Sequence, residues 1–126
     1  MLRRFRGAYY WLKARRLWLR DEVEESLHCL HRLETLGDMP PYAMATKAIL
    51  LMQLGRIDAS DELLDQVARD TESSSNPNIA YINLFVRAIR AAVDDKPALE
   101  QHLLREAKRS RCSSTLKRWL PLAEPS

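Results

Sequence analysis

Shifted by 34 residues, the sequence falls back onto itself. Lys13-Ala14 superposes on Lys47-Ala48, Leu17 on Leu51, Val23 on Ile57, Ser26 on Ser60, Leu30 on Leu64 and Leu33 on Val67. A further shift of 40 brings Arg87-Ala88, Ala91, Leu104 and Ala107 onto the same template, and the six extra residues match a turn-rich stretch around Ser73-Ser74-Ser75. A period of this size marks stacked units that cannot bury their apolar faces alone. Within each unit the apolar residues recur at three- and four-residue spacings, the period of an amphipathic helix. Each unit therefore reads as a helical hairpin, and the fold class as all-α.

The helix boundaries follow from capping chemistry. Phe5, Tyr9, Leu12 and Leu19, with Ala8 and Trp11 interleaved, predict a first helix ending near Arg20. Asp21, with Glu24 three residues on, predicts an N-cap for a second helix carrying Val23, Ser26, Leu27, Leu30 and Leu33, closed by Gly37. Pro40 and Pro41 suit the first turn of a third helix, Tyr42 to Leu54, stopped by Gly55. Asp58 is the expected cap of a fourth, with Leu63, Leu64 and Val67 inward and an end near Asp70. Asn76 and Pro77 open a fifth that runs to Val93; a sixth carries Leu99, Leu103, Leu104 and Ala107 to about Arg109. A short last helix, Ser114 to Leu120, is halted by Pro121.

At the repeated positions the chain resembles the tetratricopeptide repeat family, whose 34-residue helix-turn-helix units stack into a right-handed superhelix. Ala14, Ala48 and Ala88 match the small residue of the first helix, and Leu17, Leu51 and Ala91 the residue one turn later. Ser26 and Ser60 match the small residue of the second helix, Leu30, Leu64 and Leu104 its large one, and Gly55 the turn glycine. Tyr10, Met44 and Leu84 stand where the family has tryptophan, Lys13, Lys47 and Arg87 where it has leucine, and Glu100 where it has a small residue. The resemblance implies one domain over 1–126, with three repeats at about 7–40, 41–76 and 77–110 and a capping segment at 111–126.

It also implies a concave groove lined by the first helix of each hairpin. Those faces are Ala8, Trp11, Arg15 and Trp18; then Tyr42, Ala45, Ile49 and Met52; then Ile82, Phe85, Ile89 and Ala92. Family members that bind acidic chaperone tails place basic residues and asparagine at such positions. Here Trp11, Ala45, Ile49, Phe85 and Ile89 occupy them, so no carboxylate clamp is expected. An aromatic and aliphatic groove suits the apolar face of a partner's amphipathic helix. Other occupants of the same face are the chain's own C-terminal segment, through Leu116, Trp119 and Leu120, and a second copy in a homodimer.

The net charge of +3 conceals a segregation. Residues 1–20 hold seven basic side chains and no acid, 21–100 hold seven basic against fifteen acidic, and 101–126 hold six against two. Basic ends can offset the acidic middle within the fold. Alternatively Arg3, Arg4, Arg6, Arg15, Arg16 and Arg20, interleaved with Tyr9, Tyr10, Trp11 and Trp18, can bind nucleic acid or an anionic membrane surface. Two cysteines, Cys29 and Cys112, do not make a disulfide framework and point to a reducing compartment. No uninterrupted apolar run approaches the roughly 18 residues of a membrane span, and Lys13, Arg15 and Arg16 interrupt any export signal. A cytoplasmic location is expected.

Chemistry-bearing clusters are few. His28-Cys29-Leu30-His31 has ligand-type side chains but no second pair at zinc spacing, so the histidines are expected on the surface and no metal is expected. Asp61, Glu62 and Asp65, and Asp94 with Asp95, are expected at helix starts or on solvated faces. No phosphate loop or nucleophile motif occurs. The expectation is a non-enzymatic adaptor or small chaperone without a cofactor.

Overall fold

The computed structural model describes residues 13–14, 17–37 and 39–125, and every regular element among them is helical. Residues 13–14 and 17–19 are helical, followed by α1 (Val23–Thr35), α2 (Pro41–Gln53), α3 (Ile57–Thr71), α4 (Pro77–Val93), α5 (Pro97–Lys108) and α6 (Ser114–Trp119). The all-α class expected from the sequence is what the structure has. Phe5, Tyr9 and Leu12, on which the first helix was read, lie outside the described residues. Leu19 from the same stripe is 73% exposed, so it does not belong to a packed face.

One turn geometry occurs three times. The Leu17 carbonyl accepts from Glu22 N at 2.9 Å and the Trp18 carbonyl from Asp21 N at 2.9 Å. Leu51 and Met52 accept in the same way from Arg56 and Gly55, and Ala91 and Ala92 from Lys96 and Asp95. These paired bonds are the Schellman arrangement, which needs a left-handed residue just past the helix end. That residue is Asp21 at φ 63°, Gly55 at φ 78° and Asp95 at φ 54°. Asp21 is thus a turn residue and not the expected N-cap; Glu22 takes the cap position without a side-chain bond. Likewise α3 begins at Ile57, which puts Asp58 inside its first turn.

Glycine alone meets this backbone without a Cβ penalty. Asp21→Gly and Asp95→Gly should each raise stability, by up to about 1 kcal/mol, and Gly55→Ala should lower it by about 1 kcal/mol. A Cβ at Gly55 would meet nothing within 4 Å, so the loss there is purely one of backbone conformation. Urea unfolding midpoints of the three variants check the opposite signs.

The hairpin seams repeat as well. Ser26 Oγ donates to the Ala14 carbonyl at 2.6 Å, and 34 residues later Ser60 Oγ donates to the Ala48 carbonyl at 2.7 Å. Both serines and both alanines are buried. A small side chain on each helix permits close approach, and the hydroxyl avoids the cost of a buried unpaired polar group. Glu100 holds the third equivalent position and makes no such bond. There the α4–α5 seam is held by Ala88, Ala91, Leu103 and Leu104, with Leu84 and Leu122 packed against them.

The chain divides into two compact units, Met1–Ser60 and Asp61–Ser126, the boundary falling within α3. In the first, Lys47 Nζ on α2 pairs with Glu34 on α1 at 2.6 Å, and Leu27, Leu30, Leu33, Leu50 and Leu51 are buried. In the second, Asn83 on α4 donates to the Ala68 carbonyl at 3.0 Å and to Thr71 Oγ1 at 3.2 Å on α3. Thr71 also bonds back to Val67 O, which carries α3 one residue past its expected end near Asp70. Asn76 caps α4 by accepting from Asn78 N, with Pro77 in the first turn as expected.

The C-terminal segment docks on α4. Tyr81 donates its hydroxyl to the Leu120 carbonyl at 2.6 Å, Ser113 N donates to Asn78 Oδ1 at 2.8 Å, and Leu116 and Leu120 are buried. Ser113 caps α6 by accepting from Leu116 N.

Candidate protein-binding surface

The residues expected to line a groove separate into accessible and interior sets. On α2, Pro40 holds an extended backbone and Pro41 occupies the first turn, which fixes the helix phase. Tyr42, Ile49 and Met52 then lie along one face and are half-buried, as is Trp18 in the preceding helical stretch. Ala45, on the same face, is 0% exposed. Trp11, Arg15 and Ala8 lie outside the described residues.

On α4 the expectation needs correction. Ile82 and Phe85 are 2% and 3% exposed, so they belong to the interior, while Ile89 is half-buried and Ala92 exposed. The cause is visible in the helix itself. Tyr81, Ile82, Asn83, Phe85, Val86, Ala88 and Ala91 are all buried and are spread around most of its circumference. A helix apolar on nearly every side is buried on nearly every side, and periodicity does not say which stripe stays open. Of the large apolar residues expected in the groove, those left accessible among the described residues are Trp18, Tyr42, Ile49 and Met52 in the first unit, and Ile89 in the second.

Charge organises the flanks of α4. Arg90 Nη1 lies 2.6 Å from Asp61, and Arg90 Nε lies 3.5 Å from both Asp65 and Asp94. These three acids are expected at helix starts or on solvated faces; Asp65 and Asp94 do keep much of their exposure, and all three converge on one cation. Close pairing with Asp61, reinforced by the surrounding carboxylates, pushes the Arg90 guanidinium above its ordinary value. Adjoining this cluster, Ala68, Arg69, Glu72, Asn83 and Arg87 line a pocket of about 340 Å³, and Ala68 and Arg87 also share a cavity of about 170 Å³ with Asp65, Arg90 and Asp94.

In the His28–His31 stretch Leu30 is fully buried, His28 and His31 are exposed, and Cys29 is buried. Burial pushes the Cys29 thiol up. Desolvation, followed by the nearby Lys47, pushes His31 down, with Glu34 at 3.8 Å opposing. No group of three His, Cys, Asp or Glu side chains converges to hold a metal among the described residues. Cys29 and Cys112 are both free. No described helix is long and apolar enough to cross a membrane.

The Arg69–Arg87 pocket was not read from the sequence, although a signal for it exists. Lys13, Lys47 and Arg87 recur at one repeat position, whereas Glu34 is followed 34 residues later by Ala68. No protein-family model, curated protein or solved structure matches this chain.

Proposed function

We propose that this chain is a short tetratricopeptide-like scaffold, non-enzymatic and cytoplasmic, that holds an apolar helical segment of another protein against the first helices of its hairpins. The likeness to that family is supported by the buried serine-to-alanine bond recurring at a 34-residue interval and by the three matching turns. The binding reading rests on one observation: Trp18, Tyr42, Ile49 and Met52 remain partly open to solvent beside a buried Ala45. Large apolar side chains that are half-covered on a rigid helix bind a partner's apolar face at little ordering cost.

A paired substitution, Ile49→Glu with Met52→Glu, tests this reading. Circular dichroism should show helicity unchanged, and affinity capture in high salt should retain at least about tenfold less of a discrete partner than the wild type, as for loss of an interface anchor. Retention of nucleic acid or lipid that salt releases, unaffected by the substitutions, would transfer the function to the basic N-terminal arginines. Of those, Arg3, Arg4, Arg6, Arg15 and Arg16 lie outside the described residues.

A further inference from the structure

We infer that the pocket lined by Ala68, Arg69, Glu72, Asn83 and Arg87 takes a carboxylate group, with the Arg87 guanidinium as its principal donor. The repeat supplies the reason. Between α1 and α2, Glu34 and Lys47 form an ion pair at 2.6 Å. Carried forward by the repeat, Glu34 becomes Ala68 on α3 and Lys47 becomes Arg87 on α4. The cation is kept and exchanged for the one best suited to a carboxylate fork, while its in-chain carboxylate is replaced by a methyl group. The pocket of about 340 Å³ lies at these two residues.

Among the described residues no carboxylate is in ion-pair contact with this cation; Asp65 and Asp94, which line a neighbouring cavity with Ala68 and Arg87, are engaged by Arg90. Among the described residues the Arg87 side chain has one hydrogen bond, to Asn83 Oδ1 at a long 3.5 Å, and the Arg69 side chain one, to Gln66 Oε1 at 3.0 Å. Neither arginine has a described carboxylate within ion-pair distance, although Glu72 lines the same pocket. The lining side chains thus carry a net positive charge. Asn83 is buried, and its amide nitrogen is held by Ala68 O and Thr71 Oγ1, which leaves Oδ1 facing the exposed Arg87 guanidinium at 3.5 Å. Its remaining N–H groups are left for a ligand. Arg87 sits roughly 200° around α4 from Ile89, and the pocket shares no residue with the proposed binding face.

The carboxylate can come from an acidic side chain of a bound protein or from a small free acid. Both are tested by titrating the full chain at fixed ionic strength with a hexaglutamate peptide and, separately, with glutarate, following backbone amide NMR shifts over residues 68–72 and 83–87. At least one probe should give saturable shifts in the wild type. Arg87→Gln should weaken its binding at least tenfold by removing the donor, and Ala68→Glu should do the same by restoring the in-chain partner. Far-UV circular dichroism should be unchanged in both variants. A saturating peptide assigns the site to a protein side chain, and saturating glutarate alone assigns it to a small acid. Absence of saturable shifts with both probes, or equal affinity in all three proteins, overturns the assignment.

Discussion

Phe85→Glu is expected to unfold the Asp61–Ser126 unit, whereas Ile89→Glu, one turn along α4, leaves it folded. Phe85 is 3% exposed, and truncating a buried phenylalanine to alanine costs about 3–5 kcal/mol. Glutamate adds an unpaired carboxylate to the same site, a further cost of several kcal/mol. A unit of this size has a total stability of only about 3–10 kcal/mol. Urea unfolding followed by circular dichroism should show Phe85→Glu without a cooperative transition, while Ile89→Glu shifts the midpoint modestly. A folded Phe85→Glu protein with the wild-type midpoint would return Phe85 to the surface and restore the wider groove read from the sequence.

The second large effect is alkaline. Tyr81 is 3% exposed, its hydroxyl donates to the Leu120 carbonyl, and its pKa is pushed up to about 12, first by burial and then by the nearby Cys112. The unfolded chain gives up this proton near pH 10, so the folded state binds it more tightly. Its contribution is fully present below pH 10 and declines as the pH rises to about 12. A difference of two units corresponds to about 3 kcal/mol. Tyr81→Phe loses the bond to Leu120, costing about 1 kcal/mol at neutral pH, but should remove this alkaline loss. Denaturant melts at pH 8 and pH 11.5 should therefore narrow or reverse the gap between variant and wild type. A gap independent of pH would mean that the Tyr81 hydroxyl ionises as freely in the folded state as in the unfolded one.

Much of the local structure was legible. Proline and glycine punctuation located α2, α4 and the end of α1 to within a residue or two, because those side chains act through backbone sterics that need no tertiary partner. The aspartates misled. Asp21 has the chemistry of an N-cap, but its neighbours form a Schellman turn and force it into the left-handed region. Only the alignment of Asp21 and Asp95 with Gly55 hinted at that.

The exposure of the proposed binding face was legible only in part. Tyr42, Ile49 and Met52 are half-buried, whereas Ala45, Ile82 and Phe85 are interior. Asp61, Asp65 and Asp94 could not be grouped from spacing, since they reach Arg90 from two helices. The sequence by itself determined the all-α class, the positions of the hairpins and the register of their inner alanines, serines and leucines, since periodicity and capping are properties of neighbouring residues. Which apolar stripe is buried, which charges meet and where a pocket remains were decided by tertiary structure alone. Burial and ion pairing depend on what another helix brings to the same place, and a helix apolar on almost every side carries no record of which side that is.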